Sequence, residues 1–224
     1  MGVSTTGRAL LIVDLQHDFG DPAGSLYVQG AAGVLDAVVA LIHRARAAGD
    51  LVAWSQDWHP SETPHFVTQG GAWPVHCVAG TPGAELLPAA EGARQPDDIL
   101  IRKGIAGEDG YSAFSVRDPR TGEVRATGLA ETLKARGVNS VTICGLATDW
   151  CVKASALDAL AAGFNVELPI SASAGVELQP GDTAAANGIG DLTVVNNAVL
   201  VSLMESAAIA AINRSEEHTS ELQS

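Results

Sequence analysis

The chain has 224 residues, 46% of them hydrophobic, and carries 13 Lys plus Arg against 26 Asp plus Glu, a formal charge of −13 at pH 7. That length buries one substantial core, and a single domain over residues 1–213 is expected. The acidic balance excludes the clustered basic side chains that nucleic acid or an anionic membrane surface requires, and no apolar run reaches the roughly 18 residues of a transmembrane helix.

The N-terminal text MGVSTTGRALLIVD lacks the layout of a signal peptide. Cys77, Cys144 and Cys151 are an odd set, which fits free thiols in a reducing compartment better than a disulfide framework. The expected location is therefore the cytoplasm. Residues 214–224, RSEEHTSELQS, break from the alanine-rich text before them. They read as translated sequencing adapter, a non-native tail excluded from the fold. The sequence leaves association into homo-oligomers open.

In chain order, short apolar runs read as strands: RALLIVDL, DLVAWSQD, DILIRKG, NSVTICG, FNVELPI and NAVLVSL, each too short for a comfortable helix. Between them AAGVLDAVVALIHRARAAG, ATGLAETLKARG and DWCVKASALDALAAG carry helical period and close on glycine, a natural helix C-cap. Alternating strands and helices, with strands apolar throughout, predict a parallel sheet covered on both faces. The proline- and glycine-rich stretch from Pro60 to Pro96 shows neither pattern, and irregular segments of that length are usually functional or disordered.

Ligands of open α/β sheets bind beyond the carboxyl ends of the strands. Asp14, Asp57 and Lys103 follow the first three predicted strands, and the loop to Cys151 follows the fourth. A carboxylate, an ammonium and a thiol brought together from separate strands are the parts of nucleophilic catalysis with an assisting base. A cysteine in the first turn of a helix also feels the positive end of the helix dipole, which favours thiolate. There the amides of Ala147 and Cys151 are placed to hold an oxyanion. The competing reading of Cys151 is a small buried hydrophobe. Cys144 and Cys77 read as packing residues.

A second constellation is SQDWHP, TPHF and WPVHC. Asp57 and His59, two apart, leave the same face of an extended segment. With His65 and His76 they make one carboxylate and three imidazoles, a donor set suited to one divalent ion, zinc, iron or manganese. The alternative is a chance cluster of solvated loop histidines.

Taken together, LLIVDLQHDF, SQDWHP, WPVHCVAGTPGAEL, IRKG and CGLATDWCVKASALDA resemble the nicotinamidase/pyrazinamidase branch of the isochorismatase-like cysteine hydrolases. The resemblance implies a three-layer α/β fold with a mostly parallel central sheet and helices on both faces. It implies a catalytic triad of Asp14, Lys103 and Cys151, and a divalent ion on Asp57, His59, His65 and His76. It implies a cis peptide between Leu146 and Ala147, and pocket walls from Phe19, Trp73, Tyr111, Leu146 and Trp150. The implied reaction is deamidation of a small amide, nicotinamide or pyrazinamide, through a thioester, as in NAD salvage. His17 stands where the family often has asparagine, and the acidic stretch KGIAGEDGY departs from it at the rim. The rivals are a sister amidase acting on an N-carbamoyl or ureido amide, an isochorismatase proper, a non-catalytic metal-binding homologue and a redox thiol protein. Cys151 lacks the CxxC partner that the last would need.

Overall fold

The most apolar runs of the sequence form the middle of the sheet. In the computed structural model, which describes residues 6–176 and 192–194, β1 (Arg8–Val13) lies between β2 (Leu51–Asp57) and β6 (Ser140–Leu146), parallel to both. The sheet order is β3-β2-β1-β6-β7-β9, with β3 at Ile99–Lys103, β7 at Asn165–Leu168 and β9 at Leu192–Val194. Pairing is parallel except for β9, which runs antiparallel to β7. The short β8 (Ser173–Ala174) pairs with the end of β6 after β7 has paired with its beginning. The predicted strand NAVLVSL and the 214–224 tail lie outside the described residues.

The period-2 geometry of a strand sends alternate side chains to opposite faces. Leu10 and Ile12 of β1 join one core, with Val34, Val38 and Ile42 of α2 (Ala31–Ala48) and Ala90 of α3 (Pro88–Ala93). Ala9, Leu11 and Val13 join the other, with Leu129 and Leu133 of α4 (Leu129–Ala135) and Ala156 and Ala159 of α5 (Lys153–Ala161). Both faces are thus covered, which is why the inner strands carry no polar alternation. A short α1 (His17–Gly20), helix α3 inside the Pro60–Pro96 stretch, and a small antiparallel hairpin, β4 (Ser115–Arg117) with β5 (Val124–Ala126), were not anticipated. No helix among the described residues is long and apolar enough to cross a membrane.

From β1 the chain steps outward through β2 to β3, then returns to the other side of β1 for β6 and β7. The reversal leaves a crevice between the carboxyl ends of β1 and β6, where open α/β sheets bind ligands. Gly145 closes the strand pair there. It has φ +118°, and a Cβ on it would stand 2.1 Å from the Val13 carbonyl oxygen and 2.8 Å from its nitrogen. Backbone in a ladder cannot give way to that. Gly145→Ala is therefore expected to lower unfolding free energy by about 3 kcal/mol, from overpacking plus backbone strain. Chemical denaturation checks this, and an unchanged midpoint refutes it.

Candidate active site

The carboxyl ends of β1, β2, β3 and β6 each deliver one part. Asp14, next after β1, has φ +49° and leads the chain out of the ladder. Its fully buried carboxylate accepts from the Ser55 hydroxyl at 2.6 Å (Oδ1) and from Lys103 Nζ at 2.7 Å (Oδ2). Lys103, the last residue of β3, also donates to the carbonyls of Gly110 and Tyr111. Its Nζ lies 2.9 Å from Asp57 Oδ1, a contact that is ionic rather than an aligned hydrogen bond. One ammonium therefore bridges two buried carboxylates.

Beyond β6 the Leu146–Ala147 peptide is cis. The chain then makes a π-helical turn, Thr148–Val152, before α5; such turns are frequent at functional sites. Cys151 sits in that turn rather than in the first turn of α5. Its sulfur and one oxygen each of Asp14 and Asp57 lie within 4.8 Å of one another.

The buried surroundings oppose the thiolate that the helix dipole favours. Burial pushes the Cys151 thiol well above its ordinary range; the Asp14 and Asp57 charges add to this, and Lys103 only partly offsets it. Burial also raises Asp14, with the Asp57 charge outweighing part of what Lys103 gives back. Asp57 goes the other way. Burial opposes its ionisation, but Lys103 together with His59 and His76 holds it well below the usual carboxylate range. Lys103 stays charged because Asp14 and Asp57 overcome the cost of its burial. Burial and the two neighbouring acids thus oppose ionisation of Cys151, and a carboxyl oxygen of Asp14 lies within 4.8 Å of its sulfur.

The histidine cluster is real and buried. Nitrogens of His59, His65 and His76 lie within 4.8 Å of one another, and Asp57 Oδ2 is 3.7 Å from His59 Nε2 and 3.8 Å from His76 Nε2. His76 Nδ1 is engaged by the Pro74 carbonyl at 2.7 Å and His65 Nδ1 by Asp109 Oδ1 at 2.8 Å. Each keeps Nε2 for another partner. Both nitrogens of the fully buried His59 have no hydrogen-bond partner, a costly arrangement unless something else binds there. The three imidazoles fit a divalent ion, and Asp57 Oδ2 stands beside two of them, His59 and His76.

A pocket opens over both groups, lined by all five predicted wall residues, Phe19, Trp73, Tyr111, Leu146 and Trp150, and by Ala147 and Cys151. Trp73 Nε1 donates to the Tyr111 hydroxyl at 2.8 Å, and Trp73 packs edge-on against Trp150 with ring centres 4.7 Å apart. The aromatic walls of the pocket suit a small flat ring. Leu26, Val28 and Val176 also line it.

Residues 8–195 match the Isochorismatase domain family. The chain belongs to that family. It is 36% identical to the nicotinamidase of Escherichia coli (strain K12) over 203 residues, 80% of this chain and 88% of the relative. Among solved structures, the pyrazinamidase of Pyrococcus horikoshii in complex with zinc is 32% identical with TM-score 0.68, covering 93% of this chain and 96% of that one. PnC1 from L. infantum in complex with nicotinate is 34% identical with TM-score 0.69, covering 93% of each.

Within this isochorismatase-family site, three positioning residues escaped the sequence reading. The Gln16 side chain stands in for the ladder where β1 has ended: Nε2 donates to the Asp57 carbonyl at 2.7 Å, and Oε1 accepts from the Asp57 amide at 2.8 Å. Asp18 Oδ2 accepts from the Cys77 amide at 2.7 Å and so straps down the loop that carries His76. Gly104, with φ +71°, leaves room for the His59 ring; a Cβ there would stand 2.4 Å from its Cε1 and Nδ1. All three lie inside quoted motif stretches, but their roles depend on partners that periodicity cannot name. Cys77 and Cys144 are buried in the apolar core, as expected.

Proposed function

We propose that the chain is a nicotinamidase, hydrolysing the carboxamide of nicotinamide, and of pyrazinamide, to a carboxylate and ammonia. The observation that carries this reading is the Cys151 sulfur within 4.8 Å of Asp14 and Asp57 oxygens, under a small aromatic pocket, with Lys103 joining the two acids. Asp14 accepts the thiol proton as the sulfur attacks the amide carbon. The amides of Ala147 and Cys151 receive the developing oxyanion. As the C–N bond breaks, Asp14 returns its proton to the nitrogen and ammonia leaves. Asp14 then takes a proton from water, whose oxygen attacks the thioester. The C–S bond breaks, the sulfur recovers the proton from Asp14, and the acid is released.

Throughout, Lys103 offsets the charge of the two acids, and Phe19, Trp73, Tyr111 and Trp150 hold the ring against Cys151, an orienting effect. Asp57, His59, His65 and His76 would hold a divalent ion, zinc, iron or manganese, whose contribution when bound is a Lewis-acid anchor for the ring nitrogen. Ammonia release by the purified full chain should favour nicotinamide over an N-carbamoyl amide by at least about 100-fold in kcat/KM. The reverse preference overturns the assignment in favour of a sister amidase.

A further inference from the structure

The acidic stretch between Lys103 and Tyr111 read in the sequence as an alteration of the rim. In the fold it reaches inward. His65 lies in an irregular loop, with no helix or strand to fix its ring, yet it is buried. Two contacts tie that loop to the acidic stretch: the Thr63 hydroxyl donates to the Gly107 carbonyl at 3.1 Å, and His65 Nδ1 meets Asp109 Oδ1 at 2.8 Å.

The acidic stretch is in turn bolted to the β4–β5 hairpin. Asp109 and Arg117 exchange backbone hydrogen bonds in both directions, at 2.7 and 3.0 Å. Glu108, buried, accepts from the Ala106 amide at 2.8 Å and pairs with Arg125 of β5. The hairpin, none of whose residues lines the pocket, thereby helps to hold the Asp109 backbone in place.

We propose that Asp109 is the positioning residue of His65: its carboxylate accepts the Nδ1–H, sets the tautomer and ring plane, and so turns Nε2 toward His59, His76 and Asp57 for a divalent cation. This rests on the reading of those residues as metal ligands. A carboxylate behind a metal-binding imidazole orients the ring and raises its basicity. The need is greatest at His65: His59 lies two residues past β2 and is held through the Cys77 carbonyl, and His76 Nδ1 is engaged by the Pro74 carbonyl of its own loop, whereas the His65 ring is held by Asp109 from across the rim.

The test uses the full chain stripped with chelator, and Zn²⁺ alone as probe, with affinity read by competition against a chromophoric chelator. Asp109→Ala is expected to weaken Zn²⁺ binding by about 10- to 100-fold. Asp109→Asn, whose Oδ1 still accepts from Nδ1–H, should recover most of that loss. The melting temperature of the stripped Asp109→Ala protein should stay within about 4 °C of the parent, since the backbone pairing with Arg117 does not involve the side chain. Unweakened zinc binding by Asp109→Ala overturns the proposal when His59→Ala has lost the metal, and equal weakening in Asp109→Asn and Asp109→Ala overturns orientation by hydrogen bonding. Zinc bound as tightly by His59→Ala as by the parent overturns the metal reading itself.

Discussion

Cys151→Ala is expected to lower kcat for nicotinamide by at least about 10⁴-fold while the protein stays folded. The reasoning is chemical: neither Asp14 nor Asp57 can replace the sulfur as leaving group and nucleophile, so what remains is pocket binding and the amide donors of the turn. Structurally the change is small. It removes one buried sulfur at the pocket wall, a loss of about 1 kcal/mol, or about 2–4 °C in melting temperature for a chain of this size. Cys144→Ala is the matched control. That thiol is buried in β6, with burial pushing its pKa to about 12, so the substitution should cost comparable stability with turnover unchanged. Ammonia release at saturating nicotinamide, with circular dichroism of both variants, decides the matter. Equal turnover in Cys151→Ala and the parent removes the covalent route.

What the sequence disclosed and what it withheld follow from the range of the interactions involved. The strand RALLIV is legible because burial on both faces leaves no place for a polar residue after its exposed first position, Arg8, and the run keeps its meaning without its neighbours. The helix from Ala31 is legible because Val34, Val38 and Ile42 repeat on one face and Gly49 takes the left-handed C-cap. The hairpin is not legible: SVR and VRA are three residues each, largely exposed, and held by Asp109 and Glu108 rather than by any apolar period. The long stretch after Pro60 is ordered by single bridges, His59 with Val78 and Phe66 with Trp73, and by elements of three to six residues, α3 the longest, too short to show a repeat.

The same distinction divides the site. Asp14, Asp57 and Lys103 could be placed because they follow apolar strands, and a parallel sheet sends those ends to one rim. Gln16 could not, because its role exists only once Asp14 has left the ladder with a positive φ. The environment of the Cys151 thiol is hidden from the sequence for a related reason. The dipole of a helix and one lysine are visible in a line of text, whereas the burial of the thiol beside two carboxylates is a property of the assembled rim. The acids oppose the thiolate that the dipole and the lysine favour.

Lys103→Met is therefore expected to damage folding and catalysis together. The substitution keeps an unbranched chain of similar length but leaves Asp14 and Asp57 buried without their shared cation. Removing one partner of a buried pair costs about 3–5 kcal/mol. The sign of its pH dependence is fixed by the acids. With the ammonium gone, native Asp14 holds its proton to higher pH than in the unfolded chain, so stability present at low pH is lost as pH rises from the ordinary carboxylate value toward the raised native one. Denaturation midpoints of Lys103→Met should thus fall further below the parent at pH about 7 than at pH about 4. Activity should show the same group. Asp14 must be ionised to receive the thiol proton, so the acid limb of kcat/KM moves upward in pH, and the plateau falls by about 10²- to 10⁴-fold. Adding Asp14→Asn should restore much of the lost stability, because one of the two stranded charges is gone, and none of the activity, because the proton acceptor has gone with it. A Lys103→Met protein as stable as the parent, with its acid limb unmoved, would show that the ammonium does not hold the two acids in register.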